Sequence, residues 1–564
     1  MGKAKNYVLF IVLAISFIYS CTSCSTLKNI NSDSANLSEE SNIRLNQMND
    51  PMYKYEPKIN FTAFKMAYDQ INNFPDGDSY ENNLWTRSIR DELGIDVKYL
   101  WVESQTQYDQ KISIAIASAD LPEMIPIRSL TTLKQLVNSG VALDLTEILK
   151  EYASPLIKSL FDADQNTALS QVTLNGKIYG LPQISGNSTS GDALYIRKDW
   201  LENLGMKAPQ TMDELFAISE AFTYDDPDKN GKDDTYGLTT VNDLFGGMAN
   251  LDGFFAAYNA YPQCGANDAW LKDPSGRIVN GSVQREVKSA LRKLSELYKK
   301  GILDNKFVYK DETKVAESIV SGEVGIIFGL QWLPFYPLSD LAGKDTEADI
   351  LQLPLVSFGY NQVKQMVGGS LGELIYVVNK SSKHPEAAVK IYNYFYSKDY
   401  ALSKDYDADY HTQVNAKYSI FAYSPVITGH PMQNISIFQG VEQYFRDTDS
   451  TKLNAWTKSN VEDCKKFLEG DRSKWGTYHW IGPEGSISVF DSYLKNNKRI
   501  MNEYIYADTN TLSKKGATLK KLRIEAFTKI IMGVAPVDAF DVYVANWKLL
   551  GGDQITDEIN SEKR

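Results

Sequence analysis

The stretch DPDKNGKDDTYG, from Asp226 to Gly237, comes nearest to chemistry by residue type and spacing. Oxygen-bearing side chains recur at Asp226, Asp228, Asn230 and Asp234. Gly231 stands at the sixth position, where a calcium loop turns sharply, and Lys232 would offer a backbone carbonyl at the seventh. Gly237 occupies the twelfth position in place of Glu, so the bidentate carboxylate of an EF-hand is missing and another acid, or water, has to complete the shell. The rival reading is an Asx-turn loop with no metal. Acids at alternate positions suit a cation better than acid–base catalysis, and the expectation is a structural calcium ion on Asp226, Asp228, Asn230, Lys232 and Asp234.

Cys21 is the second chemically telling position. It closes the apolar run VLFIVLAISFIYS, which follows Lys3 and Lys5 and is well short of the ~20 residues a helix needs to span a bilayer. The segment 1–20 therefore reads as a secretory signal peptide. Phe17 to Ser20 resemble a lipobox, which makes Cys21 the expected site of lipidation, with Cys24 as the alternative acceptor. Cys264 and Cys464 are the other cysteines, 200 positions apart, and cannot frame a disulfide scaffold or a zinc site. His384, His411, His430 and His479 show no HExxH or paired spacing. No P-loop or dinucleotide fingerprint is present, so motif-bearing NTPases and dehydrogenases lack support.

The elements that must position such residues follow from periodicity. After a Ser- and Asn-rich stretch at 21–56, read as a flexible tether, the chain alternates strand and helix: a strand from Lys58, a helix over 80–93 stopped by Gly94, a strand over 95–102, a helix near 108–118, a short strand at 123–127 and a helix over 131–138. This β-α-β rhythm argues for α/β architecture with parallel-rich sheets and crossover helices. A formal charge of −12 disfavours nucleic acid and anionic headgroups as partners. Trp 9, Tyr 34 and Phe 23 supply many rings with an apolar face and a polar edge, the kind that suit sugars.

The segments GKIYGLP, LYIRKDWLENLGMKAPQTMDEL, SGEVGIIFGLQW and HPEAAVKIYNYF, followed by WIGPEGSISVFDSYLKN and VDAFDVYVANWKLLGGDQITDEIN, resemble the successive signatures of family 1 extracellular solute-binding proteins of ABC importers, in the large Gram-positive lipoprotein subgroup associated with oligosaccharides. The resemblance runs from about Ile59 to Asn560. It implies a two-lobe, type II periplasmic-binding-protein-like fold, with crossings near Gly180–Pro182 and Gly368–Tyr376. On that basis the N-terminal lobe takes 57–181 and 368–440, and the C-terminal lobe 182–367 and 441–564. The calcium-like loop recurs in the family as a structural site away from the cleft. For the ligand, the resemblance points to Trp332 at the cleft, with Trp480 and Tyr179 as further candidates. Trp85, Trp200, Trp456 and Trp547 read as helix-face or core residues, and Trp270 is set aside as part of a hairpin.

The expected function is a lipid-anchored, calcium-stabilised, monomeric receptor that captures an oligosaccharide and delivers it to ABC permease subunits, with no bond broken. The competing function is a secreted carbohydrate-active hydrolase or lyase, which also needs an aromatic cleft but only two carboxylates.

Overall fold

The computed structural model describes residues 50–68, 73–186, 191–265, 267–358, 363–400, 403–411, 418–451 and 453–561. Residues 1–49, with Cys21 and Cys24, lie outside them.

The first sheet grows from the β-α-β rhythm. Ile59–Ala67 pairs in parallel with Ile95–Ser104 and with Met124–Ile127. The links are a helix Leu84–Ser88, which widens into a π-helical turn over Ile89–Leu93, and the helix Gln105–Ser118. Gly94 ends the first link in the left-handed region at φ 69, and a side chain there would meet the Tyr55 carbonyl oxygen at 2.3 Å, so both conformation and space demand glycine. All four residues of Met124–Ile127 are buried, as a parallel strand covered on both faces requires.

The sheet is mixed, however, because Leu371–Val378 enters it antiparallel, between Met124–Ile127 and Leu181–Ile184. That strand arrives from the other lobe and so starts at the end where Met124–Ile127 finishes. The helix Glu386–Asp399 then packs into this lobe, buried without interruption from Ala387 to Tyr396. Trp85 stacks on its Phe395 at 5.0 Å, and the Tyr392 hydroxyl donates to the Pro182 carbonyl at 2.6 Å.

The second sheet runs in the order Ile350–Leu353, Asp192–Arg197, Val324–Leu330, Tyr236–Leu238. Only its last pair is parallel. Strand alternation sends Leu194 and Ile196 to one face and Ala193 and Tyr195 to the other. The first face packs with Trp200, Phe222, Leu291, Phe527 and Trp547. The second packs with Phe438, Val461, Trp475, Ile481 and Phe490.

Among the described residues the chain changes sheet between Ile184 and Asp192, between Val367 and Leu371, and again after Gly429, whose amide still donates to Ile184 in the first lobe. Two expected boundaries therefore fall elsewhere. Leu181–Ile184 is an edge strand of the first sheet rather than a crossing. Residue 440 lies inside the helix Gln433–Asp447, whose Ile435, Ile437, Phe438 and Val441 all belong to the second core.

Candidate functional site

The carboxyl end of Met124–Ile127 and the start of Leu371–Val378 both open onto a cavity of about 840 Å3. The first lobe contributes Arg128 to Thr131, Gln171, Leu371 and Gly372; the second contributes Asp192, Asp252, Tyr261, Trp270, Leu330 and the segment Asn502–Asp508. A site at the carboxyl ends of strands is where open α/β sheets hold ligands. Its wall is tied across the lobes: Gln171 donates from Nε2 to the Ile505 carbonyl at 2.7 Å while its Oε1 accepts from the Leu371 amide at 3.2 Å.

The second-lobe wall includes four acids, Asp192, Asp252, Asp268 and Asp508. Asp192 starts its strand and is held by Gln365, whose Oε1 accepts the Asp192 amide at 3.0 Å, and by Asn250, which donates from Nδ2 to the Asp192 carboxylate at 3.0 Å. Burial pushes the Asp192 carboxyl up to about 6. Asp252 lies near it, and burial, followed by the Asp192 charge, lifts its carboxyl well above the usual range. The Asp252 Oδ1 atom is buried with no hydrogen-bond partner among the described residues. Asp268 pairs with the buried guanidinium of Arg523, which also donates to the Pro262 carbonyl at 2.9 Å and to Gln263. Arg128 faces them from the first lobe with its charge already matched by Glu373 at 2.7 Å and Asp109 at 3.1 Å.

The residues expected from the sequence are distributed unevenly about this site. Trp332 and Trp480 are half-buried against the second core. Neither lines the cavity, although Leu330, two residues before Trp332, does. The indole of Trp480 donates to Gln331 Oε1 at 2.9 Å and lies 5.2 Å from the ring of Phe335. Tyr179 follows the hairpin strand Lys177–Ile178 and does not line the cavity either. Trp270, set aside in the sequence, is part of the wall, its amide bonded to Asn502 Oδ1 at 2.8 Å. Asp192, Asp252 and Asn502 carried no spacing signal, because strands and loops 60 to 310 positions apart bring them together. Cys264 also lines the cavity, while Cys464 is buried in the second core, and both are free thiols that burial pushes up to about 12.

The calcium-like loop lies elsewhere in the second lobe, between the helix Met212–Tyr224 and the strand Tyr236–Leu238. Asp226 accepts from the amides of Asn230 at 3.0 Å and Gly231 at 3.1 Å, and Gly231 turns the chain at φ 76. The Asn230 amide nitrogen stands between Asp228 at 2.7 Å and Asp234 at 3.1 Å. Partial burial, then the neighbouring Asp226 and Asp234, raise the Asp228 carboxyl above its usual range. In this conformation no group of three or more Asp, Glu, His or Cys side chains among the described residues is arranged as a metal site. The donor set itself, carboxylates and an amide side chain within one short loop, has the chemistry of a hard-cation site. Gly237 settles the missing twelfth ligand: any side chain there would lie 2.2 Å from the Ser219 carbonyl oxygen, so no carboxylate fits.

Residues 79–402 match the family of bacterial extracellular solute-binding proteins. The chain belongs to that family. Among its relatives is the polygalacturonan/rhamnogalacturonan-binding protein YtcQ of Bacillus subtilis, 26% identical over 81% of this chain and 83% of the relative. The lipoprotein LipO of the same organism is also 26% identical, over 84% and 87%. Solved solute-binding proteins share the fold. A human-milk-oligosaccharide (HMO)-binding protein of Bifidobacterium longum infantis covers 89% of this chain and 98% of its own at TM-score 0.61 and 16% identity. The alginate-binding protein AlgQ2, solved without calcium ion, covers 91% and 98% at 0.56 and 16%. An EF-hand mutant of Streptococcus pneumoniae FusA with fructo-nystose covers 89% and 98% at 0.54 and 16%. The solute-binding family thus accounts for the two lobes and the cavity between them. Among the described residues no helix is long and apolar enough to cross a membrane.

Proposed function

We propose that this solute-binding protein is a monomeric, lipid-anchored receptor that holds an oligosaccharide between its lobes and passes it intact to the permease subunits of an ABC importer. The cavity carries the reading: about 840 Å3 suits several linked rings rather than one, and it combines aromatic walls with amide and carboxylate groups able to bond hydroxyls. YtcQ, the HMO-binding protein, AlgQ2 and FusA are all described with carbohydrate ligands, which favours a sugar over a peptide or an ion. Trp332 and Trp480 would meet a ligand that extends past Leu330, and Tyr179 is left out of that set.

Cys21 is the anchor in this reading, supported by its lipobox-like context and by kinship with LipO. Calcium on Asp226, Asp228, Asn230, Asp234 and the Lys232 carbonyl would hold the loop beneath the second sheet. The crowded carboxylates of the loop support this, as do the calcium-free state of AlgQ2 and the EF-hand of FusA.

The test is titration calorimetry of the full-length protein against an oligosaccharide panel, with chromatographic analysis of each bound sugar after release. A sugar that binds and returns whole supports a receptor. A sugar returned cleaved makes the protein a hydrolase or lyase, and the absence of binding across the panel removes carbohydrate as the ligand.

A further inference from the structure

The charge of the cavity limits which carbohydrate it accepts. Asp192, Asp252, Asp268 and Asp508 face it, against Arg128 and Lys520. Arg128 is paired with Glu373 and Asp109, and Arg523, 2% exposed, with Asp268, Gln263 and the Pro262 carbonyl, while the Nε atom of each is buried with no partner among the described residues. Among the described residues Lys520 is left to face Asp192 and Asp508, while burial of Asp252 disfavours its charged form. A carboxylated sugar placed here would set its anions beside Asp192 and Asp508, and both of these guanidiniums already have carboxylate partners in place of the open bidentate fork that carboxylates favour. The Asp252 Oδ1, which has no partner among the described residues, instead suits a hydroxyl, and Asn267 adds an amide group of the same use.

We infer that the cleft selects neutral oligosaccharides and rejects uronate oligomers, in contrast to the polygalacturonan named for YtcQ and the alginate named for AlgQ2. The inference rests on the carbohydrate reading above and narrows it. Specificity of this kind comes from the repulsive element as much as from the attractive one. It also sets the protein's place in a sequence of reactions. The enzymes that supply its ligand must cut neutral glycans, and lyases that release unsaturated uronates are not its suppliers.

Two series of two to six residues decide it, measured by calorimetry with the full-length protein at neutral pH. The neutral series holds fructo-, galacto-, xylo-, arabino- and manno-oligosaccharides; the acidic series holds oligogalacturonates, alginate oligomers and rhamnogalacturonan fragments. The expected result is binding within the neutral series, with every uronate weaker by about a hundredfold or more. A uronate that binds as tightly as the best neutral sugar overturns the inference while leaving the carbohydrate reading intact. If neither series binds, the carbohydrate reading itself fails and the inference goes with it. A second arm uses Asp508→Lys, an exposed position whose change spares the core. Charge exclusion predicts that uronates gain about tenfold in this variant and neutral sugars do not. An unchanged uronate affinity counts against it.

Discussion

Asp192 and Asp252 show how far a single residue's environment can depart from what its type suggests. An aspartate in an acidic chain reads as surface, yet Asp192 is buried at the start of a strand and shares its surroundings with a second carboxylate. The raised Asp192 carboxyl has a definite consequence for stability. The unfolded chain releases this proton near its ordinary value of 3.8 and the folded protein only near about 6. Between those values the folded state binds more protons than the unfolded one, so this contribution to stability is full below pH 4 and is lost as pH rises through about 6. Asp192→Asn keeps an acceptor for Asn250 and removes the titration. The variant should therefore gain in melting temperature relative to the wild type on going from pH 4 to pH 7, and thermal scans at both values check it. A constant difference between the two proteins would show that Asp192 is not the group responsible. Tryptophans were more legible than aspartates: Trp85 and Trp200 are 0% exposed and Trp547 3%, as their helical spacing required. Spacing records which face of one element a side chain takes, and nothing in it records which distant element will come to meet that face.

At the scale of elements, periodicity carried further. The strand from Lys58, the helix ended by Gly94 and the next two strands lie within a few residues of their expected bounds, because each keeps a regular pattern and a recognisable stop. The second sheet was harder to read, since its four strands come from segments separated by long helical insertions and three of its neighbours are antiparallel or short. The loop Asp226–Asp234 lies between these cases. Its oxygen spacing was legible and so was the glycine at position twelve, but the reason for that glycine, the Ser219 carbonyl against its α-carbon, appears only in three dimensions. Three acids at close quarters repel one another, and a bound cation would relieve the repulsion. Calcium is accordingly expected to raise the melting temperature and a chelator to lower it, by about 2.7 kcal/mol of stability when calcium stands at roughly a hundredfold its Kd. Asp228→Asn should make the metal-free protein more stable, by removing one repelling charge, and abolish the calcium shift. If calcium shifts the wild type and Asp228→Asn equally, the ion binds elsewhere.

For the whole molecule, the question is how two lobes with separate cores act as one device. The chain passes from one to the other between Ile184 and Asp192, between Val367 and Leu371 and after Gly429, and a small number of connections of this kind lets one lobe turn against the other. An edge strand such as Leu181–Ile184 has the same composition as a hinge, and only its pairing with Leu371–Val378 tells them apart. One polar tie across the gap is the Gln171 side chain on the Ile505 carbonyl. A β-carbon on Gly369 would lie 2.2 Å from Gln171 Oε1, so Gly369→Ala must drive Gln171 from its place and break that tie without entering either core. A ligand that touches both lobes shifts the population toward the arrangement in which both contacts exist, and can do so only by its differential affinity for that arrangement. Saturating sugar should therefore lower the radius of gyration seen by small-angle scattering. Gly369→Ala should weaken binding by about tenfold, the worth of one lost hydrogen bond, and should leave the thermal unfolding of the lobes close to wild type. An unchanged radius of gyration with tight binding would mean that the lobes are already fixed before the sugar arrives, and the Gln171 tie would then be a structural clamp rather than part of a closing cleft.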